Sequence, residues 1–133
     1  MTLEFHVKGA LYQHDRDGIN ILVLNNDGSI NTPVTGFTSA DQLSYYISSL
    51  SPGKIVLMGV HIKGIAQDNH MPDSQTFTQS IAALKSIGSS LTAYNQIEGK
   101  PGWALIGCKD EQKPWIAESL TDTPLTAAIP HLK

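Results

Sequence analysis

The sequence has one cysteine, little charge, and no apolar run long enough to cross a bilayer. A lone thiol cannot form an internal disulfide. Cys108 directly follows the apolar run Ala104 to Gly107, so it is expected to be a buried, inert thiol. A membrane-spanning helix needs ~20 consecutive apolar residues, and no stretch approaches that length. The start Met1-Thr2-Leu3-Glu4-Phe5 has no basic segment followed by an apolar one. The expectation is synthesis in a cytosol without a signal peptide. No Asn-x-Ser/Thr acceptor occurs, because Asn31-Thr32-Pro33 lacks the hydroxyl at its third place. Charged residues make up 16% of the chain, against the ~25% usual for globular proteins. The net charge is -3 and no basic residues cluster, which argues against a nucleic-acid partner.

Catalytic patterns are also missing. His6, His14, His61, His70 and His131 are scattered, no two at the helical i, i+4 spacing of a zinc pair. Asp68, His70 and Asp73 could meet around a cation in one loop, but such spacing arises readily by chance. There is no Gly-x-Ser-x-Gly elbow, Walker loop or dinucleotide glycine pattern. Gly99-Lys100-Pro101-Gly102 has the bare Gly-x-x-Gly form of an RNA-binding KH loop. Its flanks read as strands rather than helices, so a glycine-rich hairpin is the better account. The expectation is no catalytic residue, no metal and no cofactor.

Ser, Thr, Asn, Gln and Gly fill the place of the missing charge. Leu3 to Val7 alternates apolar and polar residues, the period of a strand with one buried face, and Gly9-Ala10 bends it. Ile19 to Leu24 is apolar except for Asn20, which predicts a central strand covered on both faces. Asn25-Asn26-Asp27-Gly28 supplies a turn. A helix is predicted over Ser39–Leu50, with Ser39 and Gln42 as capping residues and Leu43, Tyr46, Ile47 and Leu50 as its buried stripe. Lys54 to Val60 is a second buried strand. A second helix over Ser74–Ile87, with Asp73 or Ser74 as its cap, buries Phe77, Ile81, Leu84 and Ile87 and ends at Gly88. Leu91 to Tyr94 reads as a short strand, Trp103 to Cys108 as the last central strand, and Leu125 to Leu132 as an edge strand broken by Pro130. Trp115-Ile116 packs somewhere on this frame. The fold class is α+β, one domain over 1–133. It is a small two-layer arrangement of mostly antiparallel strands in two sheets with two main helices.

Several fragments, in register, resemble the interleukin-like EMT inducer (ILEI) domain. They are Gly18-Ile19-Asn20, Asp27-Gly28, Phe37, Gly53 to Leu57, Ile87-Gly88-Ser89 and Trp103 to Lys109, and the resemblance runs from Phe5 to about Asp110. It departs from the family pattern at several places. Asp17 stands where the family has arginine, Ile62-Lys63-Gly64 replaces an acidic loop, and Lys100-Pro101 replaces Arg-Asp before the tryptophan. The family's disulfide cysteines are absent as well. The resemblance implies a fold used for binding, with loops as the working face. Sugar-binding members use charged loop residues, and related domains occur in bacteriophage structural proteins.

These observations lead to a non-enzymatic module of a phage virion, on a tail or capsid surface, that recognises carbohydrate or a host surface. Two other roles stay open: a purely structural assembly or decoration protein, and a secreted cytokine-like or sugar-binding protein. The expected partners are other virion proteins or a host-surface glycan, with homo-oligomerisation within an assembly open. The location is the virion, or alternatively the extracellular space. Ligand contacts are assigned to the loops His61–Pro72 and Ile97–Gly102. Gln67, Asp68, Asn69, His70, Glu98 and Lys100 offer donors and acceptors to hydroxyl groups there. Tyr45, Tyr46, Trp103 and Trp115 are the aromatics that could form a sugar-stacking platform. Tyr46 and Trp103 fit the core better, while Tyr12, Tyr45, Tyr94 and Trp115 are freer.

Overall fold

The computed structural model describes residues 3–7, 9–14, 18–61, 77–93, 96, 102–120, 125 and 129. Its elements are, in order, β1 (Leu3–Val7), β2 (Ala10–His14), β3 (Ile19–Leu24), β4 (Ile30–Phe37), α1 (Ala40–Ser48), β5 (Ile55–His61), a 3-10 turn (Thr78–Ser80), α2 (Ile81–Ser86), β6 (Gly102–Cys108) and β7 (Ala117–Ser119). β1 and β2 form a two-stranded sheet, and the remaining strands form a five-stranded sheet in the order β4-β3-β5-β6-β7. Every neighbouring pair is antiparallel. The α+β class, the two sheets and the presence of two helices are as the sequence pattern predicts. The continuous helix expected over Ser74–Ile87 is, among the described residues, broken by the 3-10 turn Thr78–Ser80 and regular only over Ile81–Ser86.

β3 is central for the reason its composition gives. All six of its residues are buried, and their side chains alternate between two separate clusters. Ile19, Ile21 and Val23 join Val56, Met58, Val60, Trp103 and Leu105 under the helices. Leu43 and Ile47 of α1 and Phe77, Leu84 and Ile87 around α2 close that side. The Trp103 ring meets the edge of Phe77 with centroids 5.8 Å apart. On the other side of the sheet, Leu22, Leu24 and Ile55 pack against Phe5 and Val7 of the two-stranded sheet. The alternation in Leu3 to Val7 therefore has its predicted outcome, with Phe5 and Val7 buried and His6 exposed.

α1 begins as its sequence suggests. Ser39 is extended at the N-cap, and its hydroxyl accepts from the Gln42 amide at 3.4 Å. Tyr46 stacks obliquely on Phe37, with centroids 4.8 Å apart. Burial pushes its phenol pKa up, and Thr32 approaches the hydroxyl and offsets part of that rise.

The junction of α2 with β6 depends on one missing side chain. A Cβ on Gly107 would lie 1.9 Å from the Ile87 carbonyl oxygen. Only glycine lets β6 pass this close to the helix end. The Cys108 amide then donates to Ile87 O at 3.1 Å, and the Asp110 amide to Ser86 O at 2.8 Å. Those carbonyls would otherwise lack partners at a helix C-terminus.

Three expectations need correcting. Leu91 to Ala93 is not a strand; Gln96 instead ties it into a local turn, its Oε1 accepting from Thr92 N at 2.6 Å and Ala93 N at 3.0 Å. Among the described residues the outer strand after β6 is β7, which the sequence pattern does not predict; of the edge strand expected over Leu125 to Leu132, only Leu125 and Ile129 are described, and neither lies in a strand. Gly9-Ala10 does more than bend a strand: it reverses the chain so that β2 pairs with β1. The cap expected at Asp73 or Ser74, and Tyr94, lie outside the described residues.

Candidate binding end of the sheet

The register assigns each loop to one end of the five-stranded sheet. Ile19 pairs with Phe37, Asn20 with Gly59, His61 with Gly102 and Ala104 with Ser119. The start of β3, the end of β4, the end of β5, the start of β6 and the end of β7 thus share one end. Both loops singled out from the sequence leave from it, and from adjacent strands: one follows His61 and the other precedes Gly102, which are register partners. The proposed contact residues Gln67, Asp68, Asn69, His70, Glu98 and Lys100 lie outside the described residues. The described strands fix the common origin of the two loops.

The sequence motif Gly18-Ile19-Asn20 sits at this end. A Cβ on Gly18, whose φ is +82°, would lie 1.9 Å from the Phe37 carbonyl oxygen. Glycine is therefore needed where β4 turns into the approach to α1. Ile19 enters the helix-side core. Asn20 is buried on the opposite side, and its Nδ2 donates to Gly18 O at 3.2 Å, bracing the start of the strand.

Glu118 holds the outer strand at the same end, a role that sequence reasoning missed. Its Oε2 accepts from the Trp103 indole Nε1 at 2.7 Å and from Ser89 Oγ at 2.7 Å. Its Oε1 accepts from the Ser90 amide at 2.9 Å and from Ser90 Oγ at 2.8 Å. One carboxylate thus joins β7, β6 and the segment after α2. No local signal marks Glu118, because its serine partners lie 28 and 29 residues away. Trp103 was correctly placed in the core; it is 1% exposed. Tyr45, one of the freer aromatics, is 79% exposed on α1.

The opposite end of the sheet carries most of the described charge and a closed polar network. Asn25 Oδ1 accepts from Lys54 Nζ at 2.8 Å and from Asn31 Nδ2 at 3.2 Å. Asn25 Nδ2 donates to Ser29 Oγ at 2.9 Å, and Ser29 Oγ donates to Asp27 Oδ1 at 2.6 Å. Lys109, buried at the end of β6, pairs with Asp110 at 3.0 Å, and Lys113 pairs with Glu111 at 3.0 Å. Burial pushes the Cys108 thiol pKa up, Glu111 adds to the rise, and Lys113 offsets part of it. A protonated, buried thiol is a poor nucleophile. Among the described residues, no three His, Cys, Asp or Glu side chains gather in a way that could hold a metal ion. No described helix is long and apolar enough to cross a membrane.

The class this architecture defines is a small α+β domain that gathers loops at one end of an antiparallel sheet. A family model described as interleukin-like EMT inducer matches residues 17–111, and the chain belongs to that family. No curated protein matches it significantly.

Proposed function

We propose that the chain is a non-enzymatic recognition module whose ligand-binding face is formed by the loops His61–Pro72 and Ile97–Gly102. The carrying observation is the pairing of His61 with Gly102, which starts both loops from neighbouring strands on a rigid sheet. Residues Gln67, Asp68, Asn69, His70, Glu98 and Lys100 provide amide, carboxylate, imidazole and ammonium groups in those loops. Such a set suits the vicinal hydroxyls of a carbohydrate, which both donate and accept hydrogen bonds. The polar, weakly charged composition supports a neutral polar ligand. The family's occurrence in bacteriophage structural proteins supports a place on a virion, at a tail or capsid surface, in contact with a host glycan.

The test is a glycan-array screen of the wild-type chain, repeated with Asp68, Asn69 and His70 all changed to Ala. The expected outcome is selective binding by the wild type and its loss in a triple variant that keeps the same unfolding midpoint. Retained affinity in the folded variant would move the site away from these loops. An array without any bound glycan would favour an assembly role.

A further inference from the structure

Among the described residues the five-stranded sheet has two outer strands, and they are protected in different ways. β7 is three residues long and is tied inward by Glu118. β4 is eight residues long, Ile30-Asn31-Thr32-Pro33-Val34-Thr35-Gly36-Phe37, and carries no charged residue. Ile30 is 38% exposed at its start. A long, uncharged outer strand is a template for pairing with another strand. Two copies laid antiparallel along β4 would bring no like charges together, so electrostatics would not oppose the pairing.

The interruption lies at the middle of β4. Pro33 has no amide hydrogen to offer an incoming strand. Its carbonyl already accepts from Thr35 Oγ1 at 3.0 Å. Residue 33 therefore leaves a gap in the row of donors, and its carbonyl keeps only one lone pair for a new partner. The register with β3 also slips here. Ile21 faces Thr35, Val23 faces Thr32 and Leu24 faces Ile30, so β4 carries extra residues on both sides of Thr32. Such bulges bend a strand but leave its amide hydrogens in place.

We propose that β4 is an edge whose pairing with a second copy of this chain is blocked at its centre by Pro33. The device keeps the modules separate, so that the loop end meets its ligand without edge-to-edge association of the domains.

The test is sedimentation velocity across a dilution series of the full chain, with Pro33→Val and Pro33→Lys alongside the wild type. Valine restores the amide donor and keeps the position apolar, while lysine restores the donor and adds a charge that would face its own copy. The expected result is a mass average for Pro33→Val that rises toward twice the monomer with concentration, while Pro33→Lys follows the wild-type curve. Pro33→Thr provides a second uncharged donor if the valine variant folds poorly. Superimposable curves for the wild type and the folded uncharged variant would overturn the proposal. So would equal association of the valine and lysine variants.

Discussion

The two faces of the five-stranded sheet are covered by different parts of the chain. Under the helices, the buried cluster runs from Ile19 to Leu105 and lies wholly within the matched residues 17–111. On the other face, Leu22, Leu24 and Ile55 come from the matched region. Their cover, Phe5 and Val7 with the half-buried Tyr12, Trp115 and Ile129, comes from outside it, before and after. The matched region thus supplies every buried residue of the helix-side cluster, while the second face is covered largely from outside it. The helix side should carry the cooperative stability, and the hairpin side should open first. An isolated two-stranded hairpin is marginal in water and depends on the face it covers.

The largest effect is expected on the helix side. Leu84 is fully buried among Phe77, Ile87 and Trp103, so Leu84→Ala should cost about 2–5 kcal/mol by denaturant unfolding. Phe5→Ala on the hairpin side should cost less than the ~3–5 kcal/mol usual for a buried Phe→Ala, because a two-stranded hairpin can settle into the space left behind. It should speed amide exchange in β1 and β2 while exchange in β3 stays slow. Equal losses, or exchange that rises together in all three strands, would break the distinction between the faces.

An intermediate effect tests the hold on β7. Glu118→Gln keeps the shape of the side chain but replaces one acceptor oxygen with a donor amide. Hydrogen bonds to a charged group are worth about 1.5–3 kcal/mol in favourable settings. The half-exposed position of Glu118 places the expected loss at about 1–2 kcal/mol. Trp103 emission should shift as the indole Nε1 loses its carboxylate partner. An unchanged spectrum and an unchanged midpoint would show that β7 is held by its backbone pairing with β6 alone.

The smallest effect concerns the buried thiol. The folded chain raises the Cys108 pKa, chiefly by burial. The folded state therefore keeps its proton to higher pH than the unfolded state. That contribution to stability is full below the ordinary thiol pKa and declines as pH rises through the raised value. Cys108→Ala should flatten the alkaline part of a stability-versus-pH curve. A curve of identical slope in the variant would remove Cys108 as its cause.

Much of this architecture was legible because its central elements are strongly patterned. Ile19 to Leu24, the β5 segment and Trp103 to Cys108 are apolar on both phases, and burial on both faces is the physical reason. The α1 stripe and its Ser39 cap were equally plain. β4 was not, since its polar residues, Pro33 and slipped register erase the strand period at an outer position. β7 and the Glu118 contacts were hidden because three residues carry no period and their partners are remote in sequence. Leu91 to Ala93 misled in the opposite way: its short apolar start satisfied a strand pattern, while the Gln96 side chain captured its backbone donors. At the candidate site, composition and position made the loops legible. The roles of Gln67, Asp68, Asn69, His70, Glu98 and Lys100 depend on side-chain positions that no sequence period encodes.

The close approach at Gly107 has a mechanical consequence. The carbonyls at the end of α2 are bonded to the last residue of β6, Cys108, and to Asp110, two residues beyond it. The helix end and the strand end are thereby joined like a riveted corner. Load applied at Gly102, where the second loop enters the sheet, runs down β6 into that joint instead of being lost in a frayed helix terminus. A tug on the loop end would be borne by the most deeply packed side of the domain.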